Sequence, residues 1–191
     1  MQFRLVFNGE LRPRKVASLG DIHAIRMAFH PQLKELWQHS PFQDVRSWKE
    51  PSVAPGFVTT RTEVAGHTFI PAVSSRVFLY AELDILIMRQ QYPGVLISEQ
   101  GDIDNRVKTL FDALRLPSKG EITNFSEENR ATLAQHEEIY CLLEDDRLVT
   151  KVTVATDRWL GCPLRSTDTL AIIQVQLKAS KLTMSNISVV G

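Results

Sequence analysis

Residues 77–88 form the most apolar window of the chain, and they constrain the fold more than any other segment. The window is interrupted by Glu82 and Asp84 and is too short to cross a bilayer, so it reads as a central β-strand. Residues 67–73 form a second strand candidate just upstream, and 139–143, 147–156 and 169–178 form three more downstream. The chain opens on another, residues 2–7, closed by the turn pair Asn8-Gly9. Helical periodicity follows Asp21, read as an N-cap, through Ile22, Ile25, Phe29, Leu33 and Trp37, with Pro31 placed to kink or split that helix. A short helix is expected near 126–134, where Ser126 precedes an acidic first turn. The element order is β–α–β–β–α–β–β–β. It predicts an α+β fold, a mixed sheet with helices packed on it, in a single domain over 1–191 with insertions near 40–75 and 117–138.

At 191 residues, with 43% apolar and 23% charged, the chain can bury one substantial core and is not a disordered sequence. Twenty-two basic residues balance twenty-two acidic ones, so any case for a nucleic-acid partner must be local. Residues 1–15 carry Arg4, Arg12, Arg14 and Lys15 against Glu10, whereas 117–146 carry eight acids against Lys119 and Arg130. Cys141 and Cys162 form no CxxC pair, which points to a reduced, cytoplasmic protein without a thiolate zinc site. There is no signal-peptide pattern, and no membrane partner is expected.

Chemistry concentrates at residues 102–114. Positions four apart on a helix lie nearly above one another, so Asp104, Lys108 and Asp112 share a face. Val107, Leu110, Phe111 and Leu114 make the adjoining apolar stripe. Asp102 precedes this row, and a second acidic pair, Asp145 and Asp146, opens a later strand. Helix capping accounts for one Asp, and an i, i+4 ion-paired face worth tenths of a kcal/mol is the plain explanation of the row. Two acidic clusters together point instead to a divalent-metal site. An EF-hand is excluded, because Arg106 and Val107 occupy positions that need an oxygen ligand and a glycine. No HExxH, GxSxG, Walker A or GxGxxG pattern occurs.

The combination of Gly101, Asp102, Asp104, Asn105, Lys108, Asp112, Ala113 and Leu114 with a later Asp145-Asp146 resembles the RusA-type Holliday junction resolvases. The resemblance implies a metal-dependent endodeoxyribonuclease acting on branched DNA in recombination and repair, working as a homodimer in the nucleoid. It assigns Asp102, Asp104 and Asp146 to a Mg²⁺ or Mn²⁺ site and makes Lys108 the catalytic lysine. Asn105, Asp112 and Asp145 take supporting places. The basic loop, Arg12, Arg14 and Lys15, is expected to hold DNA phosphates. Two other classes fit the same residues: a non-catalytic DNA-binding or assembly protein of this fold, and an unrelated hydrolase of small phosphate esters.

Overall fold

A computed structural model describes residues 1–52, 56–92, 103–161, 165 and 167–190. Four strands build the larger sheet: β1 (Gln2–Glu10), β4 (Leu79–Arg89), β6 (Val149–Arg158) and β7 (Asp168–Ala179). Their order is β1-β7-β4-β6, antiparallel across the first two pairings and parallel between β4 and β6. A smaller sheet holds β2 (Thr62–Val64), β3 (His67–Val73) and β5 (Glu138–Leu143), with β3 and β5 parallel. The architecture is α+β, as the element order predicts. The central place of β4 follows from its alternation: Leu79, Ala81, Leu83, Ile85 and Ile87 are all buried on one face.

One expected sheet is two, for a local reason. β3 continues into β4 through a 3-10 turn at Ser75–Val77 and a left-handed Phe78 (φ 59°). β5 continues into β6 through a second 3-10 turn, Asp146–Leu148. β3 pairs with β5 before these turns and β4 pairs with β6 after them, so one parallel ribbon bends twice at the same level. Each 3-10 turn interrupts the hydrogen-bond ladder, and the two halves separate into different sheets.

Helix α1 (Leu19–Leu36) packs across β1, β5 and α2 (Ile103–Leu114). Its N-cap is Ser18. Asp21 is the third helical residue, and its carboxylate accepts from the Ser18 amide at 2.8 Å in a capping box. The helix runs through Pro31 without ending, held on either side of it by buried Phe29 and Leu33. Strand β1 likewise runs through the expected Asn8-Gly9 turn, because β7 pairs with it as far as Glu10. Among the described residues, both segments expected as insertions carry regular elements. Residues 40–75 contribute a 3-10 segment, Gln43–Lys49, and strands β2 and β3. Residues 117–138 contribute α3 (Lys119–Thr123) and α4 (Glu127–Ala134). These two short helices build a second small core of Ile122, Phe125 and Leu133 against Phe69, Ile139 and Cys141. Capping boxes start α1 and α3, and a fifth short helix, α5 (Ile187–Val190), ends the fold. No helix among the described residues is long and apolar enough to cross a membrane.

Two histidines lie inside this packing. His23 is 2% exposed, and its ring sits 4.8 Å from that of Phe125. The His30 Nδ1 accepts a bond from the Tyr140 amide at 3.0 Å. Burial holds both well below the ordinary imidazole value, at about 4, with help from the neighbouring Arg26 for His23 and from His136 for both. An unfolded chain therefore takes up protons that the folded one refuses between pH 6.5 and 4. Stability is full above that window and falls as the pH drops through it, by on the order of 3 kcal/mol per histidine at most. His23→Leu should flatten that acid limb by about one proton, which urea unfolding measured across pH 4–7 will check.

Candidate functional site

Helix α2 presents its residues much as the periodicity predicts. Leu110 and Leu114 are buried, Val107 and Phe111 pack at the core margin, and Asp104 and Lys108 are exposed. Among the described residues Lys108 enters no ion pair, so the plain explanation of the row as a salt-bridged face does not apply to it. Asp112 behaves differently. Its carboxylate bonds the Arg14 guanidinium at 2.5 Å and that of Arg115 at 2.8 Å. Asp112 shares the helix face of Lys108 but ties the helix to the N-terminal loop.

That loop is strapped along α2. The Arg14 amide donates to the Asn105 carbonyl at 2.8 Å, and Thr109 Oγ1 donates to the Arg12 carbonyl at 2.9 Å. The Arg106 guanidinium donates to the Leu11 carbonyl. The Arg12 side chain reaches Glu10 at 3.0 Å and Asp21 at 3.5 Å. Of the three cations expected on DNA, Arg12 and Arg14 thus already have carboxylate partners, whereas Lys15 is exposed. The side chain of Asn105 is buried at the start of α2.

The acidic corner divides its labour three ways. Glu144 fastens the two turns of the bent ribbon together. Its carboxylate accepts from Ser74 Oγ at 2.7 Å and from the Ser75 amide at 3.0 Å, and it pairs with Arg76 at 3.2 Å. Burial pushes its pKa up, but these bonds outweigh burial and hold it below the usual carboxylate value. Asp145 caps the 3-10 turn, bonding both the amide and the guanidinium of Arg147, which lower it to about 2. Asp146 is exposed, on a turn that packs beside α2 and β4. It borders a cleft of about 570 Å³ whose far wall, Arg115 to Lys119, follows the end of α2.

Asp102, assigned to the metal by the resemblance, lies outside the described residues. Among the described residues no three His, Cys, Asp or Glu side chains converge to hold a metal. Asp104 and Asp146 supply hard oxygen donors of the kind Mg²⁺ prefers, on neighbouring elements. Asp102, the third carboxylate of the resemblance, lies two residues before Asp104 in sequence.

Sequence reasoning missed three arginines that the fold buries: Arg26, Arg89 and Arg106. Arg26 of α1 donates to the Asp112 carbonyl at 2.6 Å and so caps the end of α2. A signal existed for the other two. Arg89 continues the inward parity of Leu83, Ile85 and Ile87, and Arg106 falls on the stripe of Ile103 and Leu110. The role of Glu144 had no signal in the sequence, because its partners come from the other turn.

No protein-family profile matches the chain. No curated protein matches it either, and neither does any solved structure.

The structural role of Asp112 can be measured against its exposed neighbour on the same helix face. Asp112→Asn should cost about 2 kcal/mol in urea unfolding, since it weakens two ion pairs at a half-buried position. Lys108→Ala, on the same helix face, should change stability by no more than about 0.5 kcal/mol.

Proposed function

We propose that the chain is a Mg²⁺-dependent endodeoxyribonuclease that cuts branched DNA, such as four-way junctions, and works as a homodimer in recombination and repair. One observation carries this reading. Asp104 and Lys108 stand exposed on one face of α2, beside the turn that bears Asp146, while Asp112, Glu144 and Asp145 are engaged in internal bonds. Asp104, Lys108 and Asp146, exposed on these two elements, are the described residues that the resemblance assigns to metal binding and catalysis.

In this reading Asp102, Asp104 and Asp146 hold the ion. When bound, it activates water and offsets charge on the transferring phosphate. Lys108 sets a positive charge beside the scissile phosphate, where charge grows in the transition state. Lys15 holds the DNA backbone without reading sequence. Arg12 and Arg14 reach phosphates by exchanging their carboxylate partners for them. Branched DNA is preferred because two copies of the site in a dimer can address two strands.

The rival readings are a DNA-binding protein of this fold that does not cut and a hydrolase of small phosphate esters. Labelled four-way junction, linear duplex and a small phosphate ester, each incubated with Mg²⁺ and with Mn²⁺, separate the readings. A nuclease cuts the junction. Asp146→Asn should then slow cutting by orders of magnitude while leaving junction affinity equal or higher, because a charge repelling phosphate is gone. Lys108→Ala should slow cutting with metal affinity retained. Junction binding without cleavage under either ion gives the answer to the binding protein, and ester hydrolysis alone gives it to a small-substrate enzyme.

The salt dependence of binding tests the surface. Lys15→Ala should reduce the slope of log K against log salt by about 0.9, the value of one phosphate contact. An unchanged slope moves the DNA surface away from this loop.

A further inference from the structure

A cavity of about 400 Å³ lies where the ends of β1 and β4 meet the start of α2. Its described lining includes Glu10, Arg12, Arg89, Arg106 and Thr167. We propose that this cavity is an oxyanion site that takes one phosphate group, held by Arg89. The inference does not depend on the chain being a nuclease.

Arg89 carries the argument. It is 4% exposed at the last position of β4, where the strand's alternation otherwise buries aliphatic side chains. Its Nη2 reaches only the Thr167 carbonyl, at 3.5 Å, at the limit of a hydrogen bond. Its Nε and Nη1 are buried and, among the described residues, have no hydrogen-bond partner. A native fold rarely leaves such donors unmet, and a buried guanidinium with no anion hydrogen-bonded to it is costlier still. Aliphatic residues would fill the space at less cost, so a charge kept here points to something that it binds.

The surroundings select an anion. Arg106, 6% exposed, enters from α2 and is fixed in the wall by its bond to the Leu11 carbonyl. Three described lining residues are cationic; the acid among them, Glu10, bonds Arg12 at 3.0 Å and also attracts Arg89 and Arg106, so one carboxylate stands against three guanidinium groups. Arg89 and Arg106 repel one another across the pocket. Burial, aided by this repulsion, depresses the Arg106 guanidinium to about 10, which still leaves it charged at neutral pH. A tetrahedral oxyanion accepts from several N–H groups at once and relieves that repulsion, and the planar fork of Arg89, with its Nε and Nη1 unmet, suits it. Free phosphate and a phosphate of a nucleic-acid backbone share this chemistry.

The test uses the full chain and inorganic phosphate. Equilibrium dialysis should find one phosphate per chain in excess chloride. Thermal unfolding at constant ionic strength should show a saturable rise in Tm of a few degrees as phosphate replaces chloride. Arg89→Met conserves volume and removes the charge. It should lose at least about tenfold in phosphate affinity and the Tm response, yet be no less stable than the parent in chloride. Competition identifies the source. If phosphate weakens duplex binding in the parent but not in Arg89→Met, the site takes backbone phosphate. If duplex binding is indifferent to phosphate, the site takes the free ion. A dialysis stoichiometry of zero overturns the proposal, as does a phosphate response unchanged in Arg89→Met.

Discussion

The placement of α2 depends on Arg26. Its guanidinium is almost wholly buried, yet it belongs to α1 and ends on the carbonyls of Asp112 and Arg115. The last carbonyls of a helix have no intrahelical donor, and a cation there meets both their lone pairs and the negative end of the helix dipole. One side chain thus satisfies the end of α2 and locks α2 against α1. Asp112 extends the lock outward, since its carboxylate joins Arg14 and Arg115, and Arg115 in turn pairs with Glu121 at 3.1 Å. The N-terminal loop, two helices and the acidic insertion are therefore coupled through one short stretch of α2. A shift of α2 would break the Arg26 cap and these ion pairs together, which makes this helix a rigid platform for the side chains it exposes.

The bent ribbon is the second constraint. Both its turns must kink at the same level, or β3–β5 and β4–β6 could not each stay paired. Glu144 enforces this from one turn by bonding Ser74, Ser75 and Arg76 of the other. The consequence for the candidate site is positional. Asp146 sits two residues beyond this clamp and inherits its rigidity, whereas Asp145 is used up in shaping the turn. Adjacent aspartates with near-identical sequence settings thereby acquire different availability.

Legibility in the sequence followed the range of the interactions. Strand β4, the stripe on α2 and the cap at Ser126 rest on neighbours within a few residues, and periodicity and capping rules read them directly. The continuation of β1 past Asn8-Gly9 and of α1 past Pro31 rests on partners far along the chain, which local propensity does not include. The same holds for the site. The shared face of Asp104, Lys108 and Asp112 is a property of one helix and was legible. The pairing of Asp112 with Arg14 joins residues 98 apart and was not. Arg89 and Arg106 show the intermediate case, charged residues at inward positions that parity alone could have flagged.

A neutral chain creates little long-range field to draw in a polyanion. Pairing inside the fold sharpens this, because Arg14, Arg61, Arg76 and Arg115 all spend their charge on carboxylates of the same molecule. On the proposed reading, encounter with nucleic acid relies on exposed cations outside these pairs, such as Lys15, Lys108 and Lys151, and on contact at short range. On the same reading, a chain without a net positive field should bind straight duplex DNA weakly. Shape then counts for more than charge. A substrate that brings several phosphates together at a bend or branch gains contacts that a straight duplex does not, and under the proposed function selectivity for distorted DNA would follow without any residue reading a base.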